Sequence, residues 1–200
     1  MTILAGTYAI ESDRLLLRRL HASDLDFLVA LHADEEVARY IGTGKPRSAA
    51  ETDQWFDDTV ASYATAELGQ LMVVRKSDGV RLGRCGLSDA AIERSATSGQ
   101  LRKGWFFSAY APPGAELECV PELGYTFAKG HWGQGYATEA AAAVFDYAQK
   151  ERSFGRVMSL VHGDNAASHA VVGKFDTAYV ERLEVSGRVF ERYDWPVSSR

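Results

Sequence analysis

The spacing of apolar and polar positions predicts a mixed series of strands and helices. After a loose lead-in over residues 1–11, Arg14-Leu-Leu-Leu-Arg-Arg-Leu20 reads as a first strand. His21-Ala-Ser23-Asp24 offers an N-cap; Leu25, Leu28, Val29 and His32 follow at helical spacing, and Val37 to Ile41 extend them. Gly42-Thr-Gly-Lys-Pro46 breaks the pattern. Ser48 to Ala66 reads as a second helix, with Ser48 and Glu51 as a capping box and Trp55, Phe56, Val60 and Tyr63 on its apolar side. Gln70 to Lys76 and Val80 to Ala90 are strands around the turn Ser77-Asp78-Gly79.

Residues 93–116 resist assignment. They carry the aromatic cluster Trp105, Phe106, Phe107 and Tyr110 and then Pro112-Pro113-Gly114. Either they are an extended hairpin packing its own aromatics, or they are a functional segment bordering a substrate site.

From Pro121 to Ser153 a strand, with Leu123, Tyr125 and Phe127 alternating, turns into a helix striped by Tyr136, Ala140, Val144 and Tyr147. Phe154-Gly155 ends that helix, and Arg156 to His162 is a strand, parallel to the one before because a helix separates them. A short helix, Ala166 to Lys174, precedes an antiparallel hairpin of Ala178–Val185 and Arg188–Trp195. The order β-α-α-β-β-β-α-β-α-β-β describes one domain over residues 1–200: a mixed α/β, mostly antiparallel sheet with one parallel strand pair, flanked by helices.

Within the central unit, Gly133-Gln134-Gly135-Tyr136-Ala137 opens a helix. The first N–H groups of a helix lack internal partners and carry partial positive charge, and glycines let a ligand approach the backbone. The turn is therefore a candidate cradle for a pyrophosphate.

Composition narrows the classes. The chain is 46% hydrophobic and 24% charged, with a net charge of −5 and no long basic run, which argues against nucleic acid as a main partner. No apolar run approaches the ~20 residues that span a membrane. The N-terminal stretch lacks a signal-peptide pattern, and Cys85 and Cys119 have no metal-ligand spacing, so reduced thiols in the cytoplasm are expected. No metal is implied.

Four stretches resemble the GNAT superfamily of acyl-CoA-dependent N-acyltransferases, most closely its ribosomal-protein N-terminal acetyltransferase branch. They are Ser12-Asp13-Arg14-Leu15-Leu16-Leu17-Arg18, Glu122-Leu-Gly-Tyr-Thr-Phe127, Trp132-Gly-Gln-Gly-Tyr-Ala-Thr-Glu-Ala140 and Asn165-Ala-Ala-Ser168. They occur in the expected order between residues 12 and 168. Trp132 stands where the wider superfamily has Arg or Gln. Lys174-Phe175-Asp176-Thr177 replaces the branch's Lys-x-Gly-aromatic; Asp176 is expected in the left-handed conformation, and the aromatic is missing from the wall near the acyl group.

The resemblance implies acetyl-CoA, or another acyl-CoA, as co-substrate. It also implies a primary amine as acceptor, either a peptide N-terminus or a small molecule, and a homodimer. It places the cofactor on Gly133, Gln134, Gly135, Tyr136 and Ala137, with an oxyanion donor at the backbone of Phe127 or Ala128 and the pantetheine arm on Asn165. Glu122 is the implied base and Ser168 the donor to the departing thiolate. Glu139 is read as a helix-dipole partner. A base matters because the amine must be neutral to attack: near pH 7 this costs roughly 1 kcal/mol for an α-amino group and several times more for a lysine.

Two other readings compete. Gly133, Gly135 and Asp164 imitate a dinucleotide-binding fingerprint, but Thr138 replaces the third glycine and no second βαβ half follows. A GNAT-like fold that binds acyl-CoA or a partner without catalysis is the other.

Overall fold

The computed structural model describes residues 9–65, 69–150 and 155–196. Its strands are β1 (Ala9–Glu11), β2 (Leu15–Arg18), β3 (Gly69–Arg75), β4 (Arg81–Glu93), β5 (Arg102–Trp105), β6 (Leu117–Phe127), β7 (Met158–His162), β8 (Ala178–Val185) and β9 (Arg188–Asp194). Its helices are α1 (Leu25–Ala33), α2 (Glu35–Ala38), α3 (Ala49–Thr65), α4 (Tyr136–Lys150) and α5 (Ala166–Val172). Among the described residues, no helix is long and apolar enough to cross a membrane.

The mixed α/β, mostly antiparallel sheet follows expectation, with four differences. The lead-in contains a strand, β1, paired with β2. The first helix stops at Asp34, whose side chain accepts from the Glu36 and Val37 N–H groups and so starts α2 separately. Asp24 does not cap α1 with its side chain; it is fully buried and takes Arg18, Arg81 and the His21 N–H instead. Residues 93–116 contain β5, which pairs antiparallel with β4 and parallel with β8, so there are two parallel pairs, not one. Four residues bounded by polar loops gave too short a period for a strand to stand out in the sequence. The proposed helix stop at Phe154 lies outside the described residues.

The strand pairings run in a closed circuit, β4–β5–β8–β9–β7–β6–β4. This half of the sheet wraps around a small core of Ala90, Ile92, Val120, Met158, Leu183, Val185 and Phe190. Nearer the N-terminus the sheet is open and covered on both faces. Alternation along β3 sends Val73 to the α4 side and Met72 to the α1–α3 side. On α4, Tyr136, Ala140, Ala141, Val144 and Ala148 are buried; the alanines let the helix lie close on β4 and β6.

The strand pair β6–β7 is where the sheet parts. Its parallel register is limited to Glu122 opposite Met158. Beyond that rung, side chains take over the bonding. The Ser159 hydroxyl donates to the Leu123 carbonyl at 2.7 Å, the Trp195 indole N–H donates to Ser159 Oγ at 2.9 Å, and the Leu160 N–H donates to the Glu122 carboxylate. Past these bonds the sheet opens into a cleft.

Candidate active site

Three adjoining cavities run along the split. The first is a cleft of about 400 Å³ lined by Phe127, Gly133, Gly135, Tyr136, Ala137 and Lys174, among others. The second is a junction of about 110 Å³ containing Glu122, Ser88 and Gly124. Tyr125, Thr126, Asn165 and Ser168 line both. The third is an outer cavity of about 620 Å³ walled by Trp105, Phe106, Phe107 and Tyr110; Arg47, Trp55 and Arg84 line both it and the junction.

The cleft matches what a pyrophosphate-bearing cofactor needs. Gly133 and Gly135 have φ of 71° and 81°, the left-handed region that favours glycine. A Cβ on Gly133 would meet no atom within 4 Å, so the backbone there is open to a ligand. The turn is braced from both sides. The Trp132 indole N–H donates to the Phe127 carbonyl at 2.7 Å, anchoring the turn on β6. Arg14 donates to the Gln134 carbonyl at 3.1 Å.

Glu139 does more than complement the helix dipole. Its carboxylate accepts from Ser12 Oγ at 2.7 Å, the Arg14 N–H at 2.8 Å and Arg14 Nε at 2.6 Å, clasping the start of β2 to α4. Burial would raise its pKa, but these bonds hold it below the ordinary carboxylate value.

One expected contact changes. Ala128 does not supply an oxyanion donor, because its N–H is spent on the Leu82 carbonyl of β4 at 2.9 Å. Peptide groups alternate sides along a strand, so the Phe127 N–H faces away from β4, on the same side as the carbonyl held by Trp132. The Gln134 side chain folds back onto the Gly130 carbonyl at 3.1 Å, so what Gln134 offers a cofactor is its backbone.

On the opposite wall, Asn165 Oδ1 caps α5 by accepting from the Ser168 N–H at 3.1 Å. The Asn165 amide group is thus oriented by the helix it starts. Ser168 lies half-buried between cleft and junction. The altered segment after α5 does not use a left-handed Asp176, since Ser186 is the non-glycine residue with positive φ among the described residues. Phe175 instead stacks on Trp195, with ring centroids 4.7 Å apart, and joins the core.

Glu122 is 6% exposed at the base of the junction. Burial pushes its pKa up to about 7; the Arg84 charge and the Leu160 N–H oppose the rise without cancelling it. A carboxylate poised there can accept a proton near neutral pH. The Tyr125 hydroxyl, 3.5 Å from the Ser168 carbonyl, has its pKa raised by burial and stays protonated.

Several site residues were missed in the sequence. Arg84 is 7% exposed; its Nε donates to His32 Nε2 at 3.2 Å and its NH1 to Gln70 Oε1 at 2.9 Å. His32 is held neutral, its pKa pushed down to about 2 by burial and by the charges of Arg84 and Arg47. Gln70 also donates to Ser88 Oγ at 3.1 Å. The available signal was a charged residue inside the otherwise apolar run Leu82-Gly-Arg84-Cys-Gly-Leu87.

Comparison with known proteins identifies the family. A model of the acetyltransferase (GNAT) domain matches residues 14–177. The protein YkkB of Bacillus subtilis is 30% identical over 177 residues, covering 87% of each chain. The N-acetyltransferase YoaA of the same organism is 26% identical over 165 residues, covering 82% of this chain and 80% of its own. Among solved structures, an acetyltransferase from Agrobacterium tumefaciens superposes with a TM-score of 0.70 at 22% identity, covering 98% of both chains. A ribosomal-protein alpha-N-acetyltransferase in complex with coenzyme A gives 0.70 at 13% identity, covering 96% of this chain and 99% of its own. The dinucleotide-binding alternative is thereby set aside, and the chain belongs to the GNAT family of acetyltransferases.

Proposed function

We propose that the protein transfers an acetyl group from acetyl-CoA to a primary amine by direct attack. The observation that carries this reading is the position of Glu122: a buried carboxyl with a pKa raised to about 7, at the junction between the Gly133–Ala137 cleft and the aromatic outer cavity. The cleft would hold the cofactor on the turn's backbone N–H groups, with the pantetheine arm against the Asn165 side-chain amide.

The acceptor would enter from the outer cavity as an ammonium and give a proton to Glu122, directly or through water. The neutral nitrogen attacks the thioester carbonyl, whose oxygen takes up negative charge facing the Phe127 N–H. The C–S bond then breaks as the nitrogen loses its second proton; the thiolate is protonated through Ser168 or the protonated Tyr125, and the proton released by nitrogen replaces the one given. Products are the amide and free CoA.

The test is a calorimetric titration with acetyl-CoA followed by thiol release with a panel of amino acids, polyamines and N-terminal peptides. Saturable binding with amine-dependent release supports the reading. Binding without release from any acceptor contradicts the transfer step, and absence of binding contradicts the cofactor assignment.

A further inference from the structure

The acceptor side of the junction carries two guanidinium groups that the chemistry above does not use. Arg84 and Arg47 both line the junction and the outer cavity. Both lie against Trp55, with their guanidinium carbons 4.8 Å and 5.7 Å from its ring centroid. Among the described residues neither forms an ion pair with a carboxylate. The hydrogen-bond partners of Arg84 are neutral: His32 and Gln70 accept from it, and His32 Nδ1 lies 3.3 Å from Thr52 Oγ1.

Glu122 acts on Arg84 and Glu51 on Arg47 only through space, so a buried and a half-buried guanidinium share this wall without a carboxylate in ion-pair contact, a cost that an anionic ligand would relieve. Burial and the mutual repulsion of the two arginines pull Arg84 down to about 9, which leaves it charged at neutral pH. Of the acidic groups of the outer cavity, Glu51 feels the Arg47 charge, but its hydrogen bonds go elsewhere. Glu51 caps α3 through Ser48, and Asp58 accepts from Tyr110 and Gln54.

Geometry limits the ligand. Arg84 is opposite Thr126 and Glu122 is opposite Ser88, four residues apart along β6, which is about 13 Å between backbones. The two side chains lean together across the glycines between them. NH1 of Arg84 reaches Gln70, whose strand partner is Gly86, and the Glu122 carboxylate overlies Gly124, the partner of Gly86. An amine at Glu122 and an anion at Arg84 would therefore belong to one compact molecule. The aromatic walls beyond would take an apolar remainder.

We infer that Arg84 and Arg47 form a carboxylate subsite, and that the acceptor is a small amino acid with an apolar side chain, bound by its carboxylate while its amine faces Glu122. This inference rests on the acyl-transfer reading for the amine's position, but the anion site can be tested apart from it.

The experiment compares L-leucine with L-leucinamide, and spermidine as a polycation, in thiol release with acetyl-CoA. In parallel, N-acetyl-L-leucine and N-acetyl-L-leucinamide are titrated calorimetrically into the protein with CoA present. Wild type and Arg47→Gln are used throughout, with Arg84→Gln as a second variant. Arg47 is less buried than Arg84, so its variant is expected to fold. The acids should be preferred over their amides by roughly 10- to 100-fold in kcat/KM and in affinity, and Arg47→Gln should erase most of that preference. Preference for the acid is informative because the amide's amine is intrinsically easier to deprotonate. Equal use of amide, acid and polyamine overturns the inference and leaves acyl transfer standing. Carboxylate-selective binding lost in Arg47→Gln, with no thiol release, supports the subsite while the transfer reading fails. A variant that shifts only the choice between acetyl-CoA and succinyl-CoA would place the arginines at the acyl group and overturn the inference.

Discussion

The Glu122 carboxylate lies over Gly124, two residues along the same strand face. A Cβ built on Gly124 would stand 3.0 Å from Oε2 and 3.1 Å from Oε1. The missing side chain is thus part of how the carboxylate is placed, together with the Leu160 N–H that donates to it across the split. Gly124→Ala should push the carboxylate out of line without disturbing the cofactor cleft. The expected result is a kcat for amine acetylation lowered roughly 10-fold, with acetyl-CoA affinity unchanged; a general base contributes ~10²- to 10⁴-fold in all. Steady-state kinetics and calorimetry check the two halves.

The turn depends on Trp132 in place of the superfamily's usual Arg or Gln. Its indole bond to Phe127 joins the turn to the strand edge that carries the inferred oxyanion donor. Trp132→Phe removes that bond while keeping a ring, and should weaken CoA binding by about 5-fold, one hydrogen bond's worth. It should change thermal stability little, since the residue is 47% exposed.

Gly135→Val is the harsher test of the same turn. Valine would have to hold a φ of 81° and meet Arg14 NH2, 3.4 Å from its Cβ. The conformational cost is roughly 1–2 kcal/mol, and CoA affinity should fall more than ~10-fold. A folded variant with undiminished affinity by calorimetry would remove the cradle from the account.

The raised pKa of Glu122 also makes a prediction about stability. In the unfolded chain it titrates near 4.5 and in the folded protein at about 7. The folded state therefore binds this proton more tightly. Its contribution is fully present below pH 4.5 and is lost as pH rises through 7, by about 3 kcal/mol at most, at ~1.36 kcal/mol per unit. Glu122→Gln cannot ionise, so its stability relative to wild type should climb between pH 4.5 and 7 and level off above. Urea unfolding of both proteins across that range measures the difference.

Much of the central unit was legible because its signals are local. The stripe on α4, the glycine turn and the parallel step to β7 each follow from short-range spacing, and the resembling stretches contain Phe127, Gly133, Gly135, Tyr136, Ala137 and Asn165, which line the cleft. What escaped depended on contacts far apart in sequence. Nothing near Ala128 reveals that its N–H is spent on Leu82, nor that Glu139 clasps Ser12 and Arg14. The outer cavity was least legible, since Arg47, Trp55, Arg84 and the aromatics of residues 105–110 meet only after the sheet closes through β5. A four-residue strand carries too little periodicity to predict that closure.

The proposed chemistry turns on Glu122 accepting the amine proton. Its most direct test is the pH dependence of kcat/KM for amine acetylation in wild type and Glu122→Gln, with binding of acetyl-CoA measured alongside. Wild type should rise through a limb near pH 7, and Glu122→Gln should lose that limb and roughly 10²-fold or more in rate at pH 7.5, while binding acetyl-CoA as tightly. A variant with the same limb and a rate within a few-fold of wild type would contradict the assignment and place the base elsewhere.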